Sequence, residues 1–219
     1  MKYTLKLIIC LAFMTVSAEG KAQYLTDLAG MPVREISYTN VQGTPYLYEA
    51  WLKGAVTTGG KTYNNIELRY DQVTETLMFK NAQGQPLNFS SRVDEFKLYV
   101  EGDEIIYRSG FKPSDNGTEK TFYQVITSGE PQLVKRTSKK VIEFKEYNSA
   151  TGTKKFEEIQ QYYLVKNGVP QRIKKDKKSI LEVLGSHKAD LESFIKSNGV
   201  NFKSDDDLIK LVTYYNTLQ

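Results

Sequence analysis

The sequence predicts an α+β chain: a mostly antiparallel β meander, curled or rolled into a half-open barrel, followed by a C-terminal cap of two to three helices. Two observations predict it. Between residues 51 and 173, apolar and polar side chains alternate in short runs, broken by turn residues roughly every 10 to 20 positions. From Lys177 onward the apolar period lengthens to three or four residues. No crossover helices separate the strand-like runs, so parallel pairing is not expected.

The chain opens MKYTLKLIICLAFMTVSAEGKA. Lys2 and Lys6 precede an apolar run over 7–16, and the small residues Ala18, Gly20 and Ala22 follow. This order is that of a secretory signal peptide over 1–22, with an apolar run too short to span a bilayer permanently. Cleavage after Ala22 would expose Gln23; cleavage after Ala18 competes with it. Cys10, the single cysteine, lies in that run and follows Ile9 rather than a small residue, which argues against lipid attachment. The exported chain would then lack disulfides, a thiol nucleophile and cysteine-held metal.

Residues 23–50, with Pro32, Pro45 and several Gly and Thr, read as an extended arm with room for one edge strand. The β domain is expected over 51–175. In KTYNNIELRYDQVTETLMFKN, Ile66, Leu68 and Tyr70 share one face, and Glu67, Arg69 and Asp71 the other. Leu77 and Phe79 resume the pattern after a turn near 71–74. Strands over 95–100 and 104–108 flank the tight turn Glu101-Gly102-Asp103. Others are expected over 121–127, 133–144, 156–165 and 171–173, the last after a turn Asn167-Gly168-Val169-Pro170.

The helical cap, 176–219, is expected to pack on the β domain. Ile180, Leu181, Val183 and Leu184 make a short helix ended by Gly185. Ser186 is the expected cap of a second, with Leu191, Phe194 and Ile195 buried, closed by Gly199. Ser204 caps a third, whose stripe is Leu208, Leu211, Val212 and Tyr215.

The segments GKTYNNIELRYDQVTETLMFK, VDEFKLYVEGDEIIYR, TFYQVITSGEPQLVKR, YYLVKNGVPQRIKKDKKSILEVLG and NFKSDDDLIKLVTYYNTL together resemble a widespread uncharacterised group of exported proteins of the phylum Bacteroidota. The resemblance spans about Gly54 to Leu218, and KKSILEVLG and DDDLIKLVTYYNTL are its most specific parts. It implies location in the periplasm, at the outer membrane or outside the cell. It carries over no activity and no functional residue.

Chemistry-bearing groups are few. His187 is the lone histidine, at a predicted helix start beside Lys188, where a base that must become positive is disfavoured; a multi-histidine metal site is excluded. Asp205-Asp206-Asp207 lack the alternate spacing of a calcium loop and suit a helix first turn instead. Carboxylates also gather at Asp94 and Glu95, Glu101 with Asp103 and Glu104, and Glu157 and Glu158, but sequence neighbours on a strand point to opposite faces, so no adjacent pair forms a facing catalytic pair by itself. The cluster Arg172, Lys174, Lys175, Lys177 and Lys178 could hold phosphate groups, although Asp176 interrupts it.

Fifteen tyrosines are many for 219 residues, and Tyr46, Tyr48 and Trp51 gather in TPYLYEAWLKG. Such rings suit strand packing, a sugar face or a partner surface. These three are the candidate ligand or partner surface; no catalytic, cofactor-binding or metal-ligating residue is assigned, and no cofactor is expected. The full chain carries +4, and the leader removes three lysines and one glutamate, leaving +2. That balance gives no electrostatic case for nucleic acid. No later run reaches membrane-spanning length. The function expected is that of an exported, non-catalytic envelope protein that binds a protein or glycan, or plays an accessory structural part. A periplasmic carrier of a lipid or other apolar ligand in the curled sheet is the alternative, and a carboxylate hydrolase the last.

Overall fold

The structure, a computed structural model, describes residues 28–33, 38–145 and 152–219. The expected leader, with both cleavage positions, lies outside them. Twelve strands form one sheet: β1 (Gly30–Pro32), β2 (Val41–Gln42), β3 (Leu52–Thr58), β4 (Lys61–Asp71), β5 (Thr76–Lys80), β6 (Pro86–Phe89), β7 (Val93–Val100), β8 (Asp103–Arg108), β9 (Tyr123–Val125), β10 (Gln132–Phe144), β11 (Thr153–Lys166) and β12 (Val169–Ile173). Helices α1 (Lys177–Leu184), α2 (Lys188–Asn198) and α3 (Asp205–Asn216) follow. Among the described residues no helix is long and apolar enough to cross a membrane.

Neighbouring strands run β1-β6-β5-β4-β3-β7-β8-β9-β10-β11-β12, each antiparallel to the next. The chain is α+β as its sequence predicts, and the sheet does not close into a barrel. It curls, because the turn after β4 meets β10, five strands away along the path. There the Lys139 amide donates to the Gln72 carbonyl at 2.8 Å, and Gln72 Nε2 to the Thr137 carbonyl at 3.3 Å. One pairing departs from expectation: β2 lies parallel to β11. More than a hundred residues separate the two, so no local crossover helix is needed.

Alternation decides which face of β4 is buried. Ile66, Leu68 and Tyr70 are at most 3% exposed and pack with Val56, Phe79 and Phe96. Each such side chain contributes about 1.5–3 kcal/mol by leaving water. A bulge at Asn65 (φ 58°) sets Tyr63 on the same face despite its three-residue spacing from Ile66. The Phe96 and Tyr107 rings stack at 4.7 Å, with Phe122 edge-on to Phe96 at 4.9 Å.

The β10–β12 end is covered on both faces. Leu133, Tyr162, Leu164 and Ile173 meet Ile180, Leu184, Leu191, Leu208, Leu211 and Tyr215 of the helices. On the other face Val134 and Tyr163 pack with Phe111 and Tyr123.

Several boundaries shift. The turn before β12 is only Asn167-Gly168, whose φ of 51° and 72° suit a two-residue hairpin, so Val169 and Pro170 join the strand. β9 is shorter than 121–127 because Thr121 Oγ1 accepts from the Thr118 amide and Thr127 Oγ1 from the Leu133 amide, closing turns at both ends. Asp176 caps α1 through the Ser179 amide, and Ser204 caps α3 through the Asp207 amide. Ser186 does not cap α2: its hydroxyl donates to Tyr215, which itself donates to the Leu184 carbonyl. His187 takes the cap position in the left-handed region (φ 55°), with no side-chain capping bond.

Candidate functional site

The segment holding Tyr46, Tyr48 and Trp51 is laid along the end of β4. The Leu47 amide donates to the Tyr70 carbonyl and the Gln72 amide to the Pro45 carbonyl, both at 2.9 Å. Lys139 fastens it from β10, donating from Nζ to the carbonyls of Thr44 (3.1 Å) and Tyr46 (2.6 Å). Burial holds the Lys139 ammonium below its ordinary pKa, against the pull of Glu158 and Asp71. The backbone thus fixes where the rings stand.

Tyr48 turns inward and packs against the core around Phe96 and Tyr107. Tyr46 and Trp51 instead meet at Arg69, on the outer face of β4. The guanidinium carbon is 4.0 Å from the Tyr46 ring centre and 4.4 Å from the Trp51 ring centre. Both rings thus lie within cation–π reach of the same guanidinium. Each contact contributes about 0.5–1 kcal/mol at a partly exposed site. Lys80 Nζ lies 5.2 Å from the Trp51 ring and pairs with Glu67 at 3.4 Å.

Arg69 has carboxylates two residues away on either side of its strand face and pairs with neither. Glu67 is taken by Lys80, and Asp71 Oδ1 accepts the Val73 and Thr74 amides at 2.8 and 3.0 Å. Arg69 Nε is buried with no acceptor among the described residues. Alternation along β4 puts Arg69 on the outer face from sequence alone. Its ring partners come from 18 and 23 positions earlier, and no local pattern announces them.

The other candidates are engaged in ordinary structure. A cleft of about 560 Å³ includes Arg172, Lys174 and Lys175, but Lys175 pairs with Asp205 at 2.6 Å and Arg172 with Asp115 at 3.6 Å. Lys177 pairs with Glu192. Asp205, Asp206 and Asp207 occupy the first turn of α3. Burial raises the Asp205 carboxyl, but hydrogen bonds from Lys175 and Tyr162 outweigh it and hold the pKa below the ordinary value. His187 is exposed, with Nδ1 3.7 Å from Asp190, and its neighbour Ser186 is turned to Tyr215. Asp94 pairs with Arg92, Glu95 with Arg108, Glu104 with Lys97 and Glu157 with Lys140, each across the sheet surface or along it.

A cavity of about 280 Å³ opens beside β5 and β7, lined by Leu77, Phe89, Val93 and Phe122 together with Glu75 and Arg92. Compared with models of known protein families, with curated proteins and with solved structures, the chain matches none.

Proposed function

We propose that this chain is an exported, non-catalytic cell-envelope protein that binds a protein or glycan partner through the surface of Tyr46, Arg69 and Trp51. One observation carries the reading: an arginine whose guanidinium lies against two rings and whose buried Nε has no acceptor among the described residues, on the outer face of a strand whose other face is core. Tryptophan, tyrosine and arginine are the residue types that dominate binding at interfaces, because they present large rigid contact area at little entropic cost. The pattern of residues 1–22 supports export, and the resemblance to exported Bacteroidota proteins supports an envelope or outer location. The non-catalytic part draws on the pairing of Asp94, Glu95, Glu104 and Glu157 with nearby cations and on the exposed position of His187 beside Asp190.

Affinity capture from native envelopes tests this. The wild-type chain should recover a protein or glycan that Arg69→Gln loses and that a change at the distant Lys188 on α2 leaves in place. Recovery indifferent to Arg69 would end the assignment. A carrier is the second reading, and it draws on the 280 Å³ cavity, whose lining mixes five apolar with six polar or charged residues. Native mass spectrometry of the purified chain would then show a bound lipid.

A further inference from the structure

The edge of β11 that faces away from β10 is only partly covered. β12 pairs with Tyr162 to Lys166, and β2 with Lys154 and Lys155. Between them no strand lies along residues 156–161 among the described residues. Both neighbours turn away. After Ile173 the Lys174 amide donates to Ser179 Oγ at 2.9 Å as the chain enters α1, and after Gln42 the chain leaves through Gly43 (φ 91°). The result is a slot in the sheet edge, bounded by a strand at each end.

Two observations give the phase of its hydrogen-bonding groups. Lys166 and Val169 flank the two-residue turn Asn167-Gly168, so the even-numbered residues of β11 point their amides and carbonyls toward the β12 side. Glu158 stands opposite Lys139, whose amide donates away from β11 to Gln72, which gives Glu158 the same phase. The amides and carbonyls of Glu158 and Gln160 therefore face the slot, and no backbone group meets them among the described residues. Both residues are exposed, and neither a bulge nor a proline blunts this edge. At the β12 end opens the cleft of about 560 Å³, whose lining holds three cations and no carboxylate. Arg172 is engaged by Asp115 and Lys175 by Asp205, which leaves Lys174 without an ion pair among the described residues. Ser179, which accepts from the Lys174 amide, keeps its own hydroxyl hydrogen to donate.

We propose that the slot receives the C-terminal segment of a partner polypeptide, added as a short strand parallel to β11, with its terminal carboxylate at Lys174 and Ser179. Alternating unpaired amides and carbonyls match an extended backbone and little else. β12 stands across the onward path, so a strand running parallel to β11 has room to end there but not to continue in line. It ends among cations, which complement a carboxylate. A chain end of the opposite direction would bring an ammonium group against Arg172, Lys174 and Lys175 instead. This surface is separate from that of Arg69 and does not rest on the reading of it.

The test titrates the folded, isotope-labelled protein at low ionic strength with an acetylated pentapeptide of alternating threonine and valine, as free acid and as C-terminal amide. Saturable shifts of the Glu158 and Gln160 amide resonances are expected with the acid. The amide form should bind about tenfold more weakly, since a charge-assisted hydrogen bond is lost. N-methylation of alternate peptide amides reads the strand geometry: one set should abolish binding and the other leave it in place. Lys174→Gln should weaken the acid a few-fold, toward the amide, whereas Arg69→Gln and Lys188→Gln should change nothing. Circular dichroism confirms that each variant is folded. Equal binding of acid and amide, indifference to Lys174→Gln, or tolerance of both N-methyl sets overturns the proposal. So does an absence of saturable shifts at Glu158 and Gln160, while capture through Arg69 decides the other surface on its own.

Discussion

Arg136 on β10 and Glu75 in the turn after β4 meet in a two-pronged ion pair, Nε to Oε1 and Nη2 to Oε2, both at 2.8 Å. With the Gln72 and Lys139 bonds it ties the two halves of the curled sheet. Hydrogen bonding to Glu75 raises the already high pKa of the Arg136 guanidinium further, against its partial burial. Arg136→Gln should cost about 1.5–3 kcal/mol, the range for hydrogen bonds to charged groups. Urea unfolding measures it, and a double-mutant cycle with Glu75→Gln should show that the two changes are not additive.

Gly54 of β3 pairs with Leu98 of β7 and leaves no room for a side chain. A Cβ at that position would collide with the Lys97 carbonyl oxygen and press on Leu68 Cδ1 at 2.9 Å. The first is backbone and cannot swing aside. Gly54→Ala should therefore be among the most damaging single changes, at about 3 kcal/mol or more, read from the denaturation midpoint.

Two buried tyrosines should respond in opposite ways to loss of the hydroxyl. Tyr70 is 3% exposed and its hydroxyl has no hydrogen-bond partner among the described residues. Burial, with a smaller push from Glu75, holds its pKa well above the ordinary value. Tyr70→Phe should be neutral or stabilising. Tyr215 donates to Leu184 and accepts from Ser186, so Tyr215→Phe should cost about 0.5–1.5 kcal/mol. Thermal melts of the pair decide.

That contrast also shows what could be read in advance. The inward set Ile66, Leu68 and Tyr70 and the stripe Leu208, Leu211, Val212 and Tyr215 follow from periods of two and of three to four, which any strand or helix imposes. Features set by distant partners were not legible. β6 begins at Pro86 and is too short to announce itself; β2 joins β11 from over a hundred residues away. For the candidate site, the residue types were visible in TPYLYEAWLKG. The inward turn of Tyr48 and the capture of Arg69 by its two neighbours depend on how residues 44–47 dock on β4.

Asp205 gives the fold an acid-sensitive tie. Its folded-state pKa lies below the unfolded value, so its contribution is present above about pH 3.9 and is lost as pH falls through the lower folded value. The group is part-exposed, so the effect is at most about 1 kcal/mol. Asp205→Asn should be less stable than the parent at pH 7, and the gap should close by about pH 2–3. Urea midpoints at the two pH values measure it.

The most direct measurement is photo-crosslinking in the cells that make the protein. A photo-reactive phenylalanine analogue at position 53, exposed on β3 beside Trp51 and opposite Glu67, samples whatever sits on the Arg69 surface. The account predicts a discrete crosslinked species in the envelope fraction from position 53 and none from position 188 on α2. An absence of product at 53, or the same products from both positions, would contradict it.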